Sequence, residues 1–291
     1  MTLRIAYLGP QGTFSEEAAS FFQKVFTVDS EITHFPTIED CAEAVEDGAA
    51  EYAVVPMENS LEGSVHVTLD ILTTSAELHI CGELALDIVH NLLAVDGTPD
   101  DVRQVYSHPQ AMAQCRNFLR RHLAGAETIP VFSTAEAAAM VSKSGLGTAA
   151  IGSIRAAERY QLKVLCASIQ DNGNRTRFIV LTKNGSLPGT PGKTSLLFAV
   201  KDGPGSLFRV LQSFANHGVN LTRIESRTSK RQLGDYLFFV DLAGTPEDSA
   251  VKASLREAAR EAVMLKLLGT YPVLGLVNND FSNKDSRPLP A

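Results

Sequence analysis

Cysteine is scarce in this chain: Cys41, Cys81, Cys115 and Cys166 are scattered, and no two lie at a short spacing. A disulfide framework and a structural zinc site both draw on closely spaced cysteines, so neither is expected. The seven histidines form no i, i+4 pair and no HExxH, which leaves a catalytic metal without support. His79 and Cys81 alternate along a strand-like segment and read as a packed core pair. Long apolar runs are missing as well; none approaches the roughly 18 residues of a membrane-spanning helix. The opening Met1-Thr-Leu-Arg-Ile reads as a first strand rather than a signal peptide, so a cytoplasmic protein with no membrane partner is expected. Positive charge is also in short supply. Against 33 acidic residues stand 26 basic ones, a net charge of −7 that argues against a nucleic-acid partner. An anionic substrate stays possible, because a local Arg and oriented backbone amides override net charge.

What is present is a soluble-protein composition, 44% hydrophobic and 20% charged, on a chain of 291 residues, more than one core usually serves. Strand-like and helix-like segments alternate through residues 1–185: strands at 3–8, 32–35, 52–56, 81–95, 102–106 and 148–151, helices at 15–26, 37–47, 65–72, 112–123 and 135–142. That alternation favours an α/β fold with largely parallel sheets. Asn184-Gly-Ser-Leu-Pro-Gly-Thr-Pro-Gly192 keeps neither period and reads as a linker. Beyond it a strand at 196–200 precedes Leu207, Val210, Leu211 and Phe214, one apolar helical face. Strands at 219–226 and 236–242, a helix over 251–262 and a strand at 267–274 complete a βαββαβ, ferredoxin-like order. Residues 276–291 are polar and Pro-bearing and are expected to be a disordered tail.

Four segments carry candidate chemistry. Asp171-Asn-Gly-Asn174-Arg-Thr176-Arg177-Phe178 runs from a polar turn into a buried strand. It lifts a hydroxyl and a guanidinium fork suited to a carboxylate to the strand's mouth. Gly9-Pro-Gln-Gly-Thr-Phe14 joins a strand to a helix, where backbone N–H groups meet anions; a plain βα turn reads the same way. Glu58-Asn59-Ser60, with Ser64, follows a strand and offers one carboxylate and three hydrogen-bonding groups, or simply an N-cap cluster. Ser107-His108-Pro109-Gln110, with Gln114 further along, opens a helix after another strand.

Together and in this order, these segments closely resemble the prephenate dehydratase family, over about Ile5 to Leu274. The resemblance implies a bilobed, periplasmic-binding-protein-like α/β catalytic region over residues 1–185 with the site in its cleft. Lobe one would take about 1–76 and 177–185 and lobe two about 77–176, the chain crossing near Ala76–His79 and Gly173–Arg177. A linker at 186–193 would lead to an ACT regulatory domain at 194–275. In that family the threonine matching Thr176 is considered essential. Glu58, Ser107 and Gln114 match further positions tied to catalysis, and Asn59, Ser60, Ser64, Asn174, Arg177 and Phe178 fall to substrate binding. Gly205, Ser206 and Leu207 match one phenylalanine-binding motif of the family's ACT domains. Glu225 and Ser226 match the second, with Asn220 and Leu221 ahead of it on the same strand. Thr228 stands where the family commonly has proline.

The implied reaction is loss of water and carbon dioxide from prephenate to give phenylpyruvate, without metal or cofactor, in a homodimer or homotetramer inhibited by L-phenylalanine. Hydroxide leaves poorly, so the ring oxygen needs a proton or strong hydrogen bonds as it departs. Thr176 is the first candidate to contact it and Glu58 the ionisable one. Arogenate as substrate, or a sensor that binds a small molecule without reacting, are the alternative readings.

Overall fold

The computed structural model describes residues 2–25, 29–185, 187–228 and 236–277. The chain opens with β1 (Leu3–Leu8), α1 (Phe14–Gln23), β2 (Ser30–Phe35), α2 (Ile38–Glu46) and β3 (Tyr52–Asn59). Helical crossovers force parallel pairing here, and β1 pairs in parallel with both β2 and β3. Thr13 caps α1, and Thr37 with Asp40 forms a capping box on α2. A two-residue β4 (Gly63–Ser64) folds back on β3, and α3 (His66–Thr74) leads into β5 (His79–Asp87).

The second lobe follows with β6 (Asn91–Ala94), β7 (Gln104–Ser107), α4 (Pro109–Gln114), α5 (Arg116–His122), β8 (Glu127–Pro130), α6 (Thr134–Val141), β9 (Thr148–Gly152), α7 (Ile154–Tyr160) and β10 (Lys163–Cys166), in sheet order β10-β6-β9-β7-β8. The chain then returns as β11 (Arg175–Thr182), between β5 and β3 and antiparallel to both. Both sheets are mixed, not largely parallel: in the first a strand that comes back from the far lobe runs against its neighbours, and in the second β6 is antiparallel to β9 and β10. The first crossing also moves. β5 belongs to the first lobe's sheet, so the chain crosses at residues 88–90 rather than near 76–79. The apolar stretch 81–95, read as one strand, is two strands split at that crossing.

The C-terminal unit has β12 (Lys193–Ala199), α8 (Ser206–Asn216), β13 (Leu221–Thr228), β14 (Tyr236–Ala243), α9 (Ser249–Glu261) and β15 (Met264–Tyr271), in the antiparallel order β13-β14-β12-β15. The strand expected at 267–274 is broken at Pro272, which has no N–H for the ladder. The chain leaves that sheet there and re-forms as β16 (Val273–Val277), parallel to β5 of the first lobe. Residues 276–277, expected to begin a tail, thus belong to a strand; the rest of the expected tail, 278–291, lies outside the described residues.

The first lobe's sheet has two covered faces. One packs Ile5, Tyr7, Leu84, Phe178 and Val180 with Ala18, Ala19 and Phe22 of α1. The other joins α2 and α3 to Leu197, Phe239, Leu268 and Tyr271 of the C-terminal unit in one shared core. The contact is close enough that a Cβ on Gly269 would lie 2.0 Å from the carbonyl oxygen of Ile80.

Candidate active site in the interlobe cleft

Thr176 and Arg177 are neighbours on a strand, so their side chains must leave opposite faces. The register makes this concrete: Thr176 pairs with Asn59 and Arg177 with Glu58. A bulge after Arg177 then sets Phe178 against Pro56. Asn59, Thr176, Phe178 and Pro56 line a cleft of about 270 Å³ between the lobes. Arg177 and Glu58 face the C-terminal unit instead.

From lobe two and the crossings come His90, Gln114 and Asn174. Three helix starts complete the walls: Thr13-Phe14-Ser15 of α1, His108, Gln110 and Ala111 of α4, and Ser133-Thr134 of α6, with exposed Phe132 beside them. Each start carries a side-chain cap, Thr13, His108 or Ser133. First-turn amides and the helix dipole give such walls a positive potential. Among the described lining residues there is no Lys, Arg, Asp or Glu. The Arg177 fork, expected to meet an anion, is turned away from the cleft toward Glu83 and Asp241.

A relay of amides fixes the interior. Asn59 Oδ1 accepts from the N–H groups of Leu61 and Glu62 at 2.9 and 3.0 Å. Its Nδ2 donates to Thr176 Oγ1 at 2.9 Å and to Asn174 Oδ1 at 2.8 Å. Asn174 Nδ2 donates to Gln114 Oε1 at 3.1 Å, which also meets His90 Nε2 at 3.0 Å. Because Thr176 Oγ1 already accepts from Asn59, its own proton is available to a ligand in the cleft.

The remaining expected site residues lie elsewhere. Ser107 is fully buried and donates to the carbonyl of Ile151 at 2.9 Å, tying β7 to β9. Ser60 accepts from the Arg175 N–H at 2.9 Å and donates to Asn174 at 3.3 Å, supporting the relay from behind. Ser64 donates to Glu225 of the C-terminal unit. Glu58 pairs with Arg223 at 3.0 Å. Arg177 pairs with Asp241 and Glu83, each at 2.7 Å. Burial opposes its charge, yet Asp241, Tyr271 and Glu83 together raise the guanidinium pKa above its ordinary value. In return, burial first and Asp241 second raise that of the Tyr271 phenol. His90 is one lining residue the sequence concealed, since it sits inside a stretch that read as continuous strand. Burial pushes the thiols of Cys41, Cys81 and Cys115 up to about 12, so they are inert.

The family model for prephenate dehydratase matches residues 5–186, and that for the ACT domain matches 194–260. The chain belongs to the prephenate dehydratase family. It is an enzyme of that carbon–oxygen lyase family, with an ACT domain at its C-terminus. A prephenate dehydratase of Methanocaldococcus jannaschii is 41% identical over 278 residues, covering 94% of this chain and 99% of the other. The bifunctional chorismate mutase/prephenate dehydratase of Aquifex aeolicus is 42% identical over 93% of this chain and 74% of its own length. Among solved structures, prephenate dehydratase of Arthrobacter aurescens in complex with L-Phe superposes with a TM-score of 0.82 at 36% identity, covering 92% and 89%. A protein described as a quorum-quenching acylase gives 0.82 at 33% identity, covering 93% and 98%.

Within the ACT domain, Gly205 adopts a left-handed φ of 77° at the start of α8, followed by Ser206 and Leu207. β13 divides its residues by parity. Arg223, Glu225 and Arg227 contact the catalytic lobe, Arg227 through Asp70 at 2.9 Å and the His66 carbonyl at 2.8 Å. Ser226 is exposed on the opposite side, as is Asn220 just before the strand. Glu225, expected at the effector site, is held by Ser64 and Arg223.

Proposed function

We propose that this chain is a cytoplasmic prephenate dehydratase, inhibited by L-phenylalanine through its ACT domain and working as a homodimer or homotetramer. The observation that carries the catalytic reading is Thr176. Its hydroxyl oxygen is engaged by Asn59, so its proton is free for a ligand, in a cleft walled by three helix starts. Prephenate's two carboxylates are held by first-turn amides of α1, α4 and α6, with the ring against Phe14, Phe178, Ile88 and Pro56. Thr176 then hydrogen-bonds the ring oxygen as it leaves. Departure of carbon dioxide restores aromaticity, so the ring itself accepts the electrons and no cofactor enters.

The likeness to an acylase does not alter this reading. Acyl transfer uses a hydroxyl hydrogen-bonded to a base, whereas among the described residues Thr176 Oγ1 is engaged by the Asn59 amide, and the histidine bonds in the cleft run to Gln114 and the Gln110 N–H rather than to Thr176. For the effector, the supporting features are the ACT match, the Arthrobacter aurescens structure with L-Phe, and exposed Phe208, Ile224 and Tyr236 on the ACT surface, suited to contact with another copy. Incubating the purified chain with prephenate and following phenylpyruvate absorbance tests the proposal. Turnover of arogenate instead, or binding of prephenate without turnover, would replace it.

A further inference from the structure

Hydrogen-bond polarity in the cleft is fixed from one end. The N–H groups of Leu61 and Glu62 can only donate, so Asn59 must present Oδ1 to them and Nδ2 to Asn174 and Thr176. Asn174, accepting on Oδ1, donates from Nδ2 to Gln114 Oε1. Since Gln114 Oε1 is an acceptor, the proton of a neutral His90 ring sits on Nε2. His90 Nδ1 is thereby a bare lone pair. The ring lines the cleft and is 3% exposed, and Nδ1 has no partner among the described residues. Gln114 Nε2 is buried and likewise without a partner among the described residues.

Resting on the dehydratase reading above, we propose that His90 Nδ1 is the atom that delivers the proton to the departing ring oxygen. Burial holds the His90 pKa below the ordinary value, opposed by its hydrogen bond to Gln114, so without substrate the ring is neutral. Two carboxylates entering the cleft draw a proton from solvent onto Nδ1. The ring C–O bond then breaks with its electron pair on oxygen, which takes the Nδ1 proton and leaves as water. The bond to the ring carboxylate breaks with its pair entering the ring, and carbon dioxide leaves. His90 is again neutral, and the proton consumed is the one drawn from solvent. Thr176 steadies the same oxygen.

The elements touching His90 are α1 through Phe14, α4 through Gln114, and the returning segment through Ile169 and Gln170. Their ionisable groups are Glu16 and Glu17 on α1, His108 at the head of α4, and Asp171. Glu16 is paired with Arg155 and Asp171 with the Asn117 N–H. Glu58, the carboxyl first considered for this proton, lies on the other face of the sheet, beside Arg223.

The test is the pH dependence of kcat on prephenate for the full chain and for His90→Gln, whose terminal amide keeps a donor toward Gln114 while removing the titrating nitrogen. If His90 is the acid, wild-type kcat falls on the alkaline side. His90→Gln then lowers kcat about 10²-fold or more and abolishes that limb, with KM changed little. A folded His90→Gln enzyme keeping both rate and limb overturns the assignment. A second measurement does not depend on that variant folding: ¹⁵N-imidazole shifts of His90 in Thr176→Val saturated with prephenate, where turnover is slow. Protonation of Nδ1 on binding supports the proposal, and a ring that stays neutral sinks it. A wild-type chain that makes no phenylpyruvate would instead bring down the dehydratase reading itself.

Discussion

Thr176 and Arg177 occupy adjacent positions in one motif and do unrelated work, because a strand sends neighbours to opposite faces. For Thr176 the expected consequence is kinetic. Thr176→Val keeps the shape but loses the hydrogen bond that steadies the leaving oxygen, so kcat should fall about 10²-fold or more with KM little changed; steady-state assays on prephenate read this directly. For Arg177 the consequence is structural. The sequence presented its guanidinium as a fork for substrate carboxylate, but the partners are Glu83 and Asp241. Arg177→Met leaves those two buried carboxylates without it, a loss of about 3–5 kcal/mol in urea unfolding, with prephenate KM affected far less. A large KM change in a stable Arg177→Met protein would return Arg177 to the cleft. The motif as a string was legible; its division was not, because parity acquires meaning only once the register with Asn59 and Glu58 is known. His90 was hidden for the opposite reason, since a lone histidine among apolar residues carries no local sign of lying at a chain crossing.

At the level of elements, the cleft is made by strand ends on one side and helix starts on the other. The βα alternation of the sequence foretold where the helices begin, and the Gly9–Phe14 and Ser107–Gln110 turns both reach the site. What alternation could not convey was direction. β11 is antiparallel to β3 and β5 because it returns from the second lobe, and nothing in its eight residues marks that route. The start of α6 was likewise unremarked: Ser133 and Thr134 read as ordinary capping residues until the lobes bring them over the cleft. A close contact lies behind the site, where β15 passes over β5 at Gly269 and Ile80. Gly269→Ala forces a Cβ onto the Ile80 backbone, which cannot yield as a flexible side chain would. The expected cost is about 1–3 kcal/mol or more, read as a lower urea midpoint. An unchanged midpoint would mean that the two strands are not pressed together in solution.

Over the whole molecule, the linker at 184–192 suggests a regulatory domain tethered loosely, yet the ACT sheet and the catalytic lobe share a core and β16 adds to the catalytic sheet. A chain ending near Asn184 loses Leu197, Phe239, Leu268 and Tyr271 from that core and Asp241 from Arg177. It is therefore expected to unfold at a lower urea concentration than the full chain, or to aggregate through the bared face. Regulation is better approached by substitution in the intact chain. An effector at the ACT surface alters catalysis only by favouring one of two arrangements of the molecule, and the free energy it transmits is its difference in affinity for them. Beside that apolar core, polar contacts join the two units: Glu225 with Ser64, Arg223 with Glu58, Arg227 with Asp70, and Arg177 with Asp241. Glu58 and Arg177 sit one residue from Asn59 and Thr176, so a shift in the ACT sheet acts on the strands that carry the relay. Glu225, held by Ser64 and Arg223, is therefore expected to transmit the effector's influence, while Ser206 and Leu207 at the start of α8 are expected to touch phenylalanine. Glu225→Ala should bind phenylalanine with nearly unchanged affinity in calorimetry while inhibition of turnover weakens, because binding and transmission are separated. Ser206 and Leu207 substitutions should lose both together. If Glu225→Ala instead abolishes binding, its carboxylate belongs to the effector site, and the coupling must run through Arg223, Arg227 or Arg177.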